Sequence, residues 1–305
     1  MNIKMRSIVA AIILSATNQV FATAYDMPPK NESLIGNIQH TTANTDDTAA
    51  KIGQRYDIGF AAIQSANPQA NLATTTGLSF GTELQIPTQH LLPKQPREGI
   101  VVNLPEMRIY YYHAGKVFTY PVGIGKIGKT IPIANTTVTR KVKDPIWIPP
   151  QDIREFNLEQ GVVLPKIMPA GPNNPLGPYA IYMGIPTYLI HSTIFPESVG
   201  KRASFGCLRM FESDIQDFFP SVTKGIPVVI INEPTKVGWE NNRLFVETHQ
   251  PLEEHNGAYD ATLPGMVHIV SNATDESETL VDWQLLYYLA QERDGIPHEV
   301  GVKLP

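Results

Sequence analysis

Gly99-Ile-Val-Val-Asn103, Met107-Arg-Ile-Tyr-Tyr-Tyr112, a turn at Ala114-Gly115, then Val117-Phe-Thr-Tyr-Pro-Val122 is the stretch that decides the fold class. β-Branched and aromatic residues dominate it, as suits a pleated, half-buried surface. The Gly-containing turn predicts that the last two runs pair as a hairpin. Working outward, Thr136–Val142, Tyr179–Met183, Thr187–His191 and Pro227–Ile231 read as further strands, and only Glu212–Phe219 reads as a helix. Residues 98–232 are therefore predicted to form a mostly β domain, long enough for a core of its own.

Two smaller regions flank it. In 36–87, Asp46-Asp47-Thr48 can cap a helix through Ala49, Ile52 and Tyr56. A second amphipathic run (Ile58, Ala61, Ile63, Ala66) stops at Asn67-Pro68, and Leu84-Gln85-Ile86-Pro87 closes as a strand. Polar, Pro-containing residues 88–98 read as a linker. In 235–305, short strands accompany one clear helix, Val281–Arg293, with apolar residues at helical spacing.

Composition narrows the classes. The chain has 305 residues, 42% apolar and 17% charged, so it is a globular protein rather than a disordered one. Its 26 prolines follow no period, which excludes collagen and coiled coil. Residues 91–232 carry 15 basic and 10 acidic groups against 4 and 13 in 233–305, so the middle is the part suited to an anionic partner. No Lys/Arg run or finger pattern points to nucleic acid. Lys4 and Arg6, the apolar run Ile8–Ala16 and Ala22-Thr23-Ala24 read as a signal peptide over 1–24. That run is too short to span a bilayer, and no transmembrane segment is expected after cleavage.

Gly123-Ile-Gly125-Lys-Ile-Gly128 matches G-x-G-x-x-G, but Lys129-Thr-Ile-Pro132 does not open the helix a dinucleotide site needs. The stronger constellation is His191 with Cys207, the only cysteine. An imidazole can take the thiol proton and return it to a leaving amine. Gly206 permits close approach of the backbone, and the amides of Gly206 and Cys207 can face an oxyanion. The pair alone is a weak signal. No His/Cys/Asp cluster has metal-ligand spacing, and His249, His255 and His268 read as surface or structural.

His191-Ser-Thr, followed by Ser204-Phe-Gly-Cys207-Leu-Arg209, resembles the signature of YkuD-type L,D-transpeptidases of the ErfK/YbiS/YcfS/YnhG group. Glu98–Tyr112, Pro121–Gly128, Pro169–Gly177 and Gly200–Ser204 agree with it. Residues 36–87 resemble a LysM module in Asp47-Thr48, Ile52, Tyr56, Ala66-Asn67-Pro68 and Gly81…Leu84…Ile86-Pro87. The resemblance implies an L,D-transpeptidase-like β-sandwich over 98–232, an α/β peptidoglycan-binding module over 36–87 and a mixed carboxy-terminal extension over 235–305. It implies a periplasmic enzyme with Cys207 as nucleophile and His191 as base, without metal or other cofactor. Gly206 and Ser204 support the motif, and Arg209 and Arg202 are candidates for binding peptide carboxylates. Ser192 is a lesser candidate for steadying His191. The donor would be a peptidoglycan stem tetrapeptide that loses D-Ala. The acceptor is left open among a second stem, a lipoprotein lysine, a free amino acid and water. The family's usual His before Gly-Cys is Phe205 here. A catalytically weak or inactive peptidoglycan-binding protein, or an L,D-carboxypeptidase or amidase, therefore stays as an alternative.

Overall fold

The structure is a computed structural model that describes residues 23–72, 77–255, 259–274 and 278–305. Nearly all of the leader read over 1–24 lies outside them, but its last two residues do not. Thr23 and Ala24 begin the edge strand β1 (Thr23–Asp26), so a leader boundary after Ala24 would cut that strand.

The amino-terminal unit comprises β2 (Leu34–Gly36), β3 (Gln39–Thr42), α1 (Ala49–Tyr56), α2 (Phe60–Ala66), β4 (Glu83–Ile86) and β5 (Gln89–Leu91). Strands β3 and β4 pair antiparallel, and both helices pack on them through Ile52, Ile58, Ile63, Leu84 and Ile86. Thr48 caps α1 by accepting from the Lys51 amide at 3.2 Å. The linker read at 88–98 is not free chain. Its first residues form β5, which pairs with β2, and His90 and Leu91 are buried. The unit also bonds the domain that follows: the Phe60 and Ala61 amides at the start of α2 donate to Val199 and Gly200 carbonyls at 3.2 and 3.0 Å.

The middle unit contains β6 (Gly99–Asn103), β7 (Arg108–His113), β8 (Lys116–Pro121), β9 (Ile124–Gly125), β10 (Ala134–Lys143), α3 (Gln151–Glu159), β11 (Tyr179–Met183), β12 (Leu189–Ser192), β13 (Arg202–Ser204), β14 (Leu208–Met210), α4 (Glu212–Ser221) and β15 (Pro227–Ile231). Nine strands form one sheet in the order β1-β8-β7-β6-β15-β10-β11-β12-β14. β10 is the corner of this sheet. Its first half, 134–137, pairs with β15, and its second half, 138–143, pairs with β11 across a register shift. A bulge bends a strand and increases its twist, so the sheet curls on itself. Ile100, Val102, Ile109 and Tyr111 from one half then share a core with Ile181, Ile190, Leu208 and Met210 from the other. α4 fills the interior with Ile215 and Phe218, and Phe218 meets Tyr111 edge-on at 5.1 Å. Burying each such side chain contributes about 1.5–3 kcal/mol. α3 escaped the sequence reading because none of its residues is buried, so it has no apolar stripe to read.

The carboxy-terminal unit is a four-stranded sheet of β16 (Thr235–Glu240), β17 (Arg243–Thr248), β19 (His298–Lys303) and β18 (Thr279–Val281), in that order, covered by α5 (Leu263–Thr274) and α6 (Trp283–Glu292). α6 buries Leu286 and Leu289, as its apolar spacing predicts, and starts two residues later than expected because the Asp282 side chain caps it by accepting from the Leu285 amide. A buried cluster fastens this sheet to the other two units. The Lys236 ammonium lies 3.0 Å from Glu106 and 2.8 Å from Glu247, and donates to the Leu91 carbonyl at 2.7 Å. Glu247 also accepts from the Leu91 amide at 2.6 Å. Among the described residues no helix is long and apolar enough to cross a membrane.

Candidate active site

β12 and β14 lie side by side and parallel, with Ile190 opposite Leu208 and His191 opposite Arg209. Side chains alternate along strands. Ile190, Leu208 and Met210 therefore enter the core, while Leu189, His191, Cys207 and Arg209 face a cleft of 960 Å³ that they help to line. Its other wall comes from Ile146–Ile148 and α3 of the 144–178 insertion and from Gly128–Thr130 of the glycine-rich loop. In that loop Ile124–Gly125 is a short strand pairing with β13. No helix opens after it, so it is a wall of the cleft and not a nucleotide site.

Backbone and hydroxyl contacts fix the two central side chains. His191 Nδ1 donates to the Ser192 carbonyl, which leaves Nε2 as the unprotonated nitrogen. Burial, with Arg209 adding to it, lowers the His191 pKa to about 4. The half-buried Cys207 thiol donates to the Thr187 carbonyl at 3.6 Å. Burial raises the thiol's pKa, while a bond from the Leu189 amide and the charge of Arg209 oppose the rise. Thr187 holds φ at 72°, a conformation that costs a β-branched residue on the order of 1–3 kcal/mol. The sequence reading placed Thr187 in a strand, whereas its left-handed backbone puts it in the turn before β12.

The Cys207 loop is built around Ser204. Its buried Oγ donates to the Cys207 carbonyl at 2.6 Å and accepts from the Gly206 amide at 3.0 Å. Gly206 sits at φ 113°, and a Cβ there would lie 2.5 Å from the Tyr188 ring, so only glycine fits. The Gly206 amide is thus taken up by Ser204. Of the expected pair, the Cys207 amide remains. Ser192 Oγ donates to the Leu176 carbonyl at 2.9 Å and accepts from the Tyr179 amide at 3.1 Å. It anchors the insertion, and only its carbonyl orients His191.

The two arginines separate. Arg209 lines the cleft and has no ion-pair partner among the described residues. Arg202 is spent within the chain: it pairs with Glu254 and bonds Thr130 at 2.9 Å and the Gly125 carbonyl at 3.2 Å. These bonds hold the 3₁₀ turn Glu253–His255 on the glycine-rich loop, and Arg202 does not itself line the cleft. Phe205 meets Phe156 of α3 edge-on at 5.2 Å, with the Lys126 ammonium 3.8 Å over one ring and 3.7 Å over the other. Where the related signature has an imidazole, this cleft has an aromatic pair with a cation on it.

His90, Glu106 and Glu247 bring three potential metal-ligating atoms within 4.8 Å of one another. The Lys236 ammonium already occupies the place of a cation between the two glutamates. Spacing in sequence gave no hint of this group, because His90 of β5, Glu106 of the β6–β7 turn and Glu247 of β17 come from three different units.

A family model described as the L,D-transpeptidase catalytic domain matches residues 97–230, and a LysM domain model matches 42–87. The chain is 38% identical to the probable L,D-transpeptidase YcfS of Escherichia coli, over 92% of this chain and 88% of that one. It is 33% identical to the probable L,D-transpeptidase YbiS of the same organism, over 97% and 99%. With ErfK/SrfK of Escherichia coli the identity is 37%, over 82% and 81%. The chain belongs to the L,D-transpeptidase family. The curled β domain is the catalytic fold of this transpeptidase, and the amino-terminal α/β unit is its LysM module. The protein is an enzyme of the acyltransferase type.

Proposed function

We propose that this transpeptidase is exported to the periplasm and acts on peptidoglycan stem tetrapeptides through a Cys207 thioester. The observation that carries the reading is the strand register: it sets His191 and Arg209 on one face of two adjacent parallel strands, with Cys207 immediately before the second and lining the same cleft, and with His191 Nδ1 taken by the Ser192 carbonyl. Nε2 is then the nitrogen that accepts the thiol proton as Sγ attacks the carbonyl of the third stem residue. The Cys207 amide faces the oxyanion, and the imidazolium returns its proton to the departing D-Ala amine. Arg209 binds a carboxylate of the stem. An amine resolves the thioester, from a second stem, a lipoprotein lysine or a free amino acid; water gives hydrolysis instead. The LysM module holds the enzyme on the glycan.

Two measurements test this. Intact mass after incubation with a carbapenem reads acylation of Cys207 directly, and no adduct would remove the mechanism. Product masses from a purified tetrapeptide with each acceptor then assign the acceptor. The alternative of a weak or inactive binding protein is favoured by one feature, the aromatic Phe205 beside a thiol whose pKa burial raises. Retained binding to sacculi without D-Ala release would establish it.

A further inference from the structure

Asp57 ends α1 in the left-handed conformation, at φ 54°, with its side chain buried. Its Oδ2 accepts two bonds, both from Thr23: 2.9 Å from the backbone nitrogen and 2.8 Å from Oγ1. Its Oδ1 has no partner. Arg108 of β7 bonds the Asp57 carbonyl, at 3.3 and 3.2 Å, rather than the carboxylate. From α4, exposed Asp217 and buried Asp214, whose own pKa burial raises well above the usual range, face the group, and so does Tyr25 of β1. Three carboxyl groups face one guanidinium, which bonds a carbonyl rather than any of them, so no cation is paired with Asp57 here. Burial raises the Asp57 pKa above the usual carboxylate value, and the Thr23 bonds offset only part of the rise.

Two alanines in the sequence can precede a leader cut, Ala22 in Val20-Phe21-Ala22 and Ala24 in Ala22-Thr23-Ala24. A cut after Ala24 would remove both donors to Asp57. It would also remove the Thr23–Thr119 and Ala24–Phe118 pairs, half of the register that holds β1 on β8. A cut after Ala22 keeps all of these and converts the Thr23 amide into an amine at the same place.

We propose that the mature chain begins at Thr23 and that its α-ammonium docks on the Asp57 carboxylate, so that leader removal itself creates the ion pair fastening the LysM module to the edge of the catalytic sheet. Hydrolysis of the Ala22–Thr23 bond by a signal peptidase consumes one water. The carboxylate stays on Ala22 and the ammonium forms on Thr23. The inference rests on the export reading above.

The test starts from the full-length precursor secreted by a Gram-negative host. Intact mass of the periplasmic protein should place Thr23 first. A chain starting at Tyr25 would overturn the proposal and leave export standing; an uncut chain would overturn both. On the mature protein, the pH dependence of α-amine acylation reads the docking. An ordinary α-amine titrates near 7.7–8.0, and the ion pair should raise the midpoint by about one unit, slowing native labelling at neutral pH about tenfold. Burial without a partner would lower the midpoint, so the sign separates docking from mere shielding. An unshifted or lowered midpoint would overturn the ion pair. Asp57→Asn should abolish the rise. If that variant does not fold, a chain with one extra alanine before Thr23 should lose it.

Discussion

The cleft around Cys207 and the junction around Lys236 both bury ionisable groups, with opposite results. In the cleft, His191 and Cys207 have no carboxylate beside them. Desolvation drives each toward its neutral form, the imidazole down to about 4 and the thiol up. At the junction, burial also works against the Lys236 ammonium, but Glu106 and Glu247 outweigh it and its pKa stands above the ordinary value. Its third proton is shared between Tyr110 Oη, at 3.0 Å, and the Leu91 carbonyl, at 2.7 Å. Burial with partners locks charge in place and joins three units of the chain. Burial without partners leaves a neutral acid and base ready to exchange a proton.

The sharpest break between the two regions is Cys207→Ala. It should abolish D-Ala release and carbapenem acylation while the urea midpoint stays within experimental error, because the thiol's bonds, donated to Thr187 at 3.6 Å and accepted from the Leu189 amide, are weak sulfur bonds. Retained release would end the thioester mechanism. Next, His191→Ala should slow acylation by ~10² or more, the scale of a general base. Unchanged single-turnover rates would move the base elsewhere.

Lys236→Met should do the reverse, costing about 3–5 kcal/mol of stability by leaving two buried carboxylates unpaired, with kcat/KM of the folded fraction unchanged. Equal urea midpoints would show that the junction is not the fastening point. The same contrast has a pH signature. Burial opposes ionisation of Glu106, yet Lys236 above all, then His249, His90 and Arg108, hold its pKa below the carboxylate range. Burial likewise holds His90 well below 6.5. Both groups have depressed folded pKa values, so their stability is present above the unfolded values and is lost on acidification. Loss should begin below about pH 6.5 through His90 and deepen below about 4.5 through Glu106. In the cleft, the acid limb of kcat/KM should lie near pH 4, where His191 gains its proton. A limb at or above 6.5 would instead mean a thiolate–imidazolium pair.

The smallest effect expected is that of Phe205→His. An imidazolium beside the thiol should lower the midpoint of Cys207 alkylation by iodoacetamide, and His191→Ala serves as the control. Matching curves would show that position 205 acts through its stacking on Phe156 and Lys126.

Much of this molecule was legible one residue at a time. The β-branched and aromatic runs in 99–122 announced the β domain, the Asp46-Asp47-Thr48 cap and the apolar spacing within 281–293 announced two helices, and Ser204-Phe-Gly-Cys207 with His191 announced the family. These signals are local, because alternation, capping and a short signature depend on residues close together in the chain. What needed the tertiary structure were matters of who meets whom. The Gly206 amide is spent on Ser204, Arg202 on Glu254, and Thr187 is strained beside the thiol. His90 and Leu91, read as part of a linker, are buried where three units meet. Those outcomes follow from sheet curling at β10 and from strand register, which bring together residues as distant as Leu91 and Glu247. A side chain's charge state and free valences are set by these neighbours, and neighbours of that kind leave no mark in the spacing of the sequence.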